Sequence, residues 1–90
     1  MDEITGDSSV RYDLLPSHIR RGVQCYIEEG RIPGGFLRAV ISNNLSESFA
    51  RADEVNRERL YDIVSFFYNE APGESWGSVE KMKAWAAQHG

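Results

Sequence analysis

Ninety residues, 41% hydrophobic and 27% charged, describe one small globular domain with room for a core and little for a deep enclosed active site. A net charge of -4 argues against general nucleic-acid binding, because neutralising phosphates takes a basic stripe. One cysteine, Cys25, excludes an internal disulfide, and with only His18 and His89 beside it there is no zinc-ligand spacing.

Residues 1–13, rich in Asp, Ser and Gly over their first part, form the expected flexible leader, and residues 14–90 a single helical domain. The start carries neither the basic block nor the apolar run of a signal peptide. No later segment approaches the roughly 18 apolar residues of a membrane span, so the expected location is cytoplasmic, with no membrane partner.

Pro16 suits the first turn of a helix running to about Glu29, with Leu14 placed to staple against Ile19 and with Ile19, Val23, Tyr26 and Ile27 on one face. Gly30 supplies a left-handed stop. Pro33-Gly34-Gly35 is a turn, after which Phe36, Leu37, Val40 and Ile41 stripe a short helix ending at Asn43-Asn44. Asn44 can cap the next helix, with Glu47 three residues on as in a capping box. From Leu45 to Asn69 no Gly or Pro interrupts a helical step, which predicts one long helix or two that break near Asp53 acting as an N-cap. Ala71-Pro72-Gly73 ends it, and Ser78 caps a last amphipathic helix carrying Val79, Met82 and Trp85. The fold class is therefore all-α, a bundle of four to five helices.

The stretch Leu60 to Tyr68 is apolar nearly all round, and such a helix is buried on more than one side. Either the other helices wrap it or a second subunit covers Tyr61, Val64, Phe66 and Tyr68, which makes a homo-oligomer the expected assembly. Asn56 falls on the apolar stripe between Ala52 and Leu60, where a buried amide needs a partner. That partner is the Ile32 to Gly35 turn, a second subunit or a ligand. Arg57, four residues after Asp53, suits an intrahelical ion pair.

Charge is unevenly distributed along the chain. Leu14 to Leu45 holds four Arg against Glu28 and Glu29, whereas Ser46 to Glu80 holds eight acids against three Arg. Eight of the ten basic residues are Arg, whose planar fork matches carboxylate and phosphate. The Gly34-Gly35 turn, flanked by Arg31 and Arg38 and accompanied by Arg20 and Arg21, is the candidate anion-binding site. The competing reading turns the chain at Gly-Gly and pairs these Arg with the acidic half of this or another subunit. No nucleophile elbow, phosphate loop, His-Glu-x-x-His or Cys-x-x-Cys is present, and His18 stands two helical turns from Cys25. The inventory points to a protein that is not an enzyme and takes no cofactor.

Leu15-Pro16, Tyr26-Ile27, Ile32-Pro33-Gly34-Gly35-Phe36-Leu37-x-Ala39-Val40, Ala52-Asp53-x-x-Asn56, Tyr68-Asn69-x-x-Pro72 and Trp76-Gly77-Ser78 follow one another along the chain. In these motifs, Leu15 to His89 resembles a family of short tailed-phage and prophage proteins. The resemblance implies an accessory phage protein made in a bacterial host cytoplasm. By analogy with small helical phage proteins, it also implies a role against host defence. The expected partner is then a nucleotide-type small ligand, an immune signal to be sequestered. The alternatives are a host defence protein, inhibited or adapted with possible use of an acidic DNA-mimicking surface, and a structural or morphogenesis accessory.

Overall fold

Local chemistry sets most element boundaries. The computed structural model describes residues 10–90, and among these the chain is all-α with no strand. The helices are α1 (Ser17–Glu29), α2 (Gly35–Ile41), α3 (Leu45–Arg51), α4 (Glu54–Glu58), α5 (Leu60–Asn69) and α6 (Val79–His89). Short 3-10 turns lie at Tyr12–Leu14 and Gly73–Ser75. Gly30 closes α1 in the left-handed region at φ 74°, its N–H donating to the Tyr26 carbonyl at 3.0 Å. Asn43 closes α2 in the same region at φ 63°, which Asn tolerates better than most residues. Three side chains cap helix starts by accepting a backbone N–H: Asn44 Oδ1 from Glu47 at 3.1 Å, Asp53 Oδ1 from Asn56 at 2.7 Å and Ser78 Oγ from Lys81 at 3.1 Å.

Among the described residues six helices replace the expected four to five, because residues 45–69 are cut twice. The first cut is the anticipated one at Ala52-Asp53. The second is Arg59, at φ -101° and ψ 13°, which separates α4 from α5 with no side-chain cap. Its guanidinium instead donates to Asp62 Oδ2 at 2.8 Å and to the Leu14 carbonyl at 3.1 Å, tying this corner to the N-terminal turn. The Asn44 capping box is only half made, since Arg51 Nε takes the Glu47 carboxylate at 2.7 Å. Asp53 does not pair with Arg57: its second oxygen meets His18 Nε2 at 3.3 Å, while Arg57 lies 5.6 Å over the Phe49 ring.

The leader boundary also moves. Residues 1–9 of the expected leader lie outside the described residues. Residues 10–13, by contrast, join the fold: Val10 and Tyr12 pack on the core, the Arg11 N–H donates to Glu70 Oε1 at 3.3 Å, and the Tyr12 ring lies 5.8 Å from Phe66. Leu15, not Leu14, supplies the apolar anchor before α1, being buried where Leu14 is 42% exposed.

The core joins Val23 and Tyr26 of α1, Ile41 of α2, Ile63, Phe66 and Phe67 of α5, and Met82 and Trp85 of α6. Phe66 and Phe67 meet edge to face at 5.4 Å, and Phe67 lies 6.0 Å from Trp76. Two buried donors tie this core to backbone: Trp85 Nε1–H donates to the Ile27 carbonyl at 3.1 Å, and the Tyr26 hydroxyl to the Ser75 carbonyl at 2.5 Å. Replacing Tyr26 with Phe leaves the Ser75 carbonyl without that donor and should cost about 1–3 kcal/mol in urea unfolding. Burial pushes the Tyr26 phenol from 10.0 up to about 12. Over that window the unfolded chain has shed a proton that the folded chain keeps, so stability is full below pH 10 and declines as pH rises through about 12. Unfolding curves collected from pH 9 upward should show this decline in the natural protein and a shallower one in Tyr26→Phe.

Candidate functional site

The chain between α1 and α2 shapes the site. Gly34, at φ -72° and ψ -174°, is the N-cap residue of α2, and neither Gly34 nor Gly35 needs a positive φ. What Gly35 supplies is space. After Asn43-Asn44 the chain folds α3 back along α2, so that Arg51, at the end of α3, reaches the start of α2. A Cβ at Gly35 would stand 3.0 Å from Arg51 Nη1.

Two concavities share Gly35. The first is a polar groove of about 240 Å³ between α2 and α3, lined by Gly35, Arg38, Ser42, Asn44, Glu47 and Arg51. Arg51 Nε is held by Glu47 at 2.7 Å, whereas Arg38 has no ion-pair partner among the described residues. One carboxylate thus faces two guanidinium groups. The second concavity is an apolar cleft of about 200 Å³ lined by Ile19, Gly34, Gly35, Phe36, Leu37 and Asn56. Asn56 is buried there at 5% exposure, and its Oδ1 has no hydrogen-bond partner. Its backbone N–H serves the Asp53 cap, but the side chain bonds neither the Ile32 to Gly35 turn nor α4 itself.

The six residues expected to hold an anion therefore separate. Gly34, Gly35 and Arg38 line the two concavities, while Arg20, Arg21 and Arg31 line neither. Arg20 turns its Nη2 to the carbonyls of Leu15 at 2.8 Å and Asp13 at 3.3 Å. Arg31 Nε pairs with Glu29 at 3.2 Å, and Arg21 is exposed on α1. Arg51 replaces them, and sequence reasoning missed it because it stands 16 residues from Gly35, in the half of the chain read as acidic. Only the return of α3 along α2 brings it to Gly35.

The expected interface divides in the same way. Tyr61 and Tyr68 are 83% and 77% exposed and Val64 is partly open, but Phe66 is 1% exposed and belongs to the core, where it packs on Tyr12 and Phe67. Phe66 is corrected from interface to core residue: docking of the N-terminal turn, invisible in helical periodicity, covers that side of α5. Leu45 and Phe49 of α3, on the apolar step of the sequence, are largely exposed. A further groove of about 320 Å³ runs between the N-terminal turn and α5, lined by Leu14, Tyr61, Ser65 and Asn69 among others. Its Arg59 and Asp62 neutralise each other at 2.8 Å.

No helix among the described residues is long and apolar enough to cross a membrane. Comparison of the chain with protein-family models, with curated proteins and with solved structures finds no match.

Proposed function

We propose that this protein is a small, non-catalytic, homo-oligomeric binding protein of the phage-accessory kind, which holds an anionic nucleotide-type ligand and so withdraws a host immune signal. The observation that carries the reading is the sharing of Gly35 by a groove bearing Arg38 and Arg51 and a cleft walled by Ile19, Phe36 and Leu37. An anion with an apolar ring can engage both at once. The charge-assisted bonds go to guanidinium groups, of which only one is balanced by Glu47.

The test is thermal shift and titration with a panel of linear and cyclic nucleotides. Arg38→Ala and Arg51→Ala should each weaken binding about ten-fold or more, as loss of a charge-assisted contact of roughly 1.5–3 kcal/mol implies. Lys83→Ala serves as the remote control. Melting temperature should hardly move in Arg38→Ala, since Arg38 is exposed and makes no ion pair among the described residues. Equal affinity in all three variants, or no ligand found across the panel, removes the reading.

One other reading has its own support. The exposed Tyr61, Val64 and Tyr68 beside the α5 groove suit an inhibitor or adaptor of a host protein, since aromatic residues are enriched at interfaces. The same surface would serve self-association. Light scattering at low micromolar concentration, with Tyr61→Ser and Tyr68→Ser in parallel, separates the two: mass falls in the variants if copies of the chain meet there.

A further inference from the structure

We infer that the cleft between α1, α2 and α4 selects a planar heterocycle bearing an N–H donor, with Asn56 as the residue that recognises it. The inference rests on the anion-site reading, since it assigns the ring end of the ligand whose charge lies on Arg38 and Arg51. Asn56 is packed and buried, yet its side-chain amide makes no hydrogen bond within the fold. The α4 cap is the Asp53 carboxylate on the Asn56 backbone N–H, a bond any residue at position 56 would make. The amide oxygen, buried without a partner, opposes folding, because a shielded acceptor has lost its water and gained nothing. An incoming donor removes that deficit.

The walls around Asn56 define the rest of the ligand. Ile19 and Leu37 are buried and Phe36 is half-buried, so the surroundings suit an apolar face. Gly34 and Gly35 contribute no side chains, and a Cβ at Gly34 would meet nothing within 4 Å, which leaves one side open to a flat group. Asn56 lines the cleft, so its amide is the polar group that a ring seated there meets. Because Gly35 borders both concavities, a ring in the cleft and a phosphate in the groove can belong to one molecule. Lactam and imide N–H groups, as in guanine and uracil, supply the donor.

The experiment titrates the natural protein, Asn56→Leu, Asn56→Ala and Arg38→Ala with four kinds of probe. These are guanosine 5′-monophosphate, uridine 5′-monophosphate, their ring N-methylated analogues lacking the donor, and inorganic pyrophosphate. The natural protein should bind at least one of the two nucleotides roughly three- to ten-fold more tightly than its methylated analogue. Asn56→Leu should erase that ratio, leave pyrophosphate binding unchanged and melt no lower than the natural protein. Asn56→Ala gives the same readout if the larger side chain overfills the cleft. A ratio retained in both Asn56 variants, or nucleotides binding no better than pyrophosphate, overturns the assignment of Asn56 while leaving the Arg groove standing. Nucleotide binding that depends on Asn56 but not on Arg38 overturns the groove and keeps the cleft. If no probe binds, both fall.

Discussion

Truncating Phe67 to alanine is expected to cost about 3–5 kcal/mol, the range for emptying a buried aromatic site. The ring is fully buried, edge-on to Phe66 at 5.4 Å and 6.0 Å from Trp76, so the hole opens at the junction of α5 and the loop that precedes α6. Domains of this size sit near the lower end of the roughly 5–15 kcal/mol typical of folded proteins, and such a loss leaves little cooperative folding. Urea unfolding followed by circular dichroism measures it. A loss below about 1 kcal/mol would mean that α5 is not the centre of the core. The matching substitution Tyr68→Ala, on the exposed side of the same helix, should fall within the usual surface range of about 0.5 kcal/mol in the monomer.

The second large effect is at Gly30. Its φ of 74° disfavours any L side chain, and a Cβ built there stands 2.8 Å from the Ala86 carbonyl oxygen and 2.7 Å from the Gly90 nitrogen. Both obstacles are backbone, so α6 must shift away from the end of α1. Gly30→Ala should cost about 1–2 kcal/mol for the left-handed conformation and a further 1–3 kcal/mol for the forced separation. Gly34→Ala is the control, with an ordinary φ and no atom within 4 Å, and should leave the melting temperature nearly unchanged. Equal melting temperatures in the two variants would show that α6 does not dock against Gly30.

What could be read from the sequence and what could not differ by range of interaction. The caps at Asn44, Asp53 and Ser78 and the stop at Gly30 were legible because each is set by a side chain and a backbone group within a few residues. The break at Arg59 was not, since Arg is a good helix former and its partners include the Leu14 carbonyl, 45 residues away. The exchange of Leu14 for Leu15 and the burial of Phe66 share one cause: the N-terminal turn docks on α5, and apolar periodicity within a helix cannot tell which neighbour covers it. In the site, Gly35 and Arg38 were found because they stand within one helical turn of each other in sequence. Arg20 and Arg31 were grouped with them as Arg of the same basic half of the chain, yet nearer acceptors hold both. Asn56 was legible as an anomaly, a polar residue on an apolar stripe, but its lack of a partner required the surrounding walls.

The division of residues 45–69 into three short helices bears on how the molecule opens. Five residues cannot nucleate a helix in water, so α4 exists only while its flanks hold it: the Asp53 cap, the His18 contact and the packing of Asn56. Amide protons of residues 54–58 should therefore exchange through a local excursion well below the free energy of global unfolding, while those of α5 exchange only with the whole domain. The segment that carries Asn56 is then less protected than the core helices around it. Transient release of this single turn gives a small molecule a route to the shielded oxygen with α1, α5 and α6 still in place.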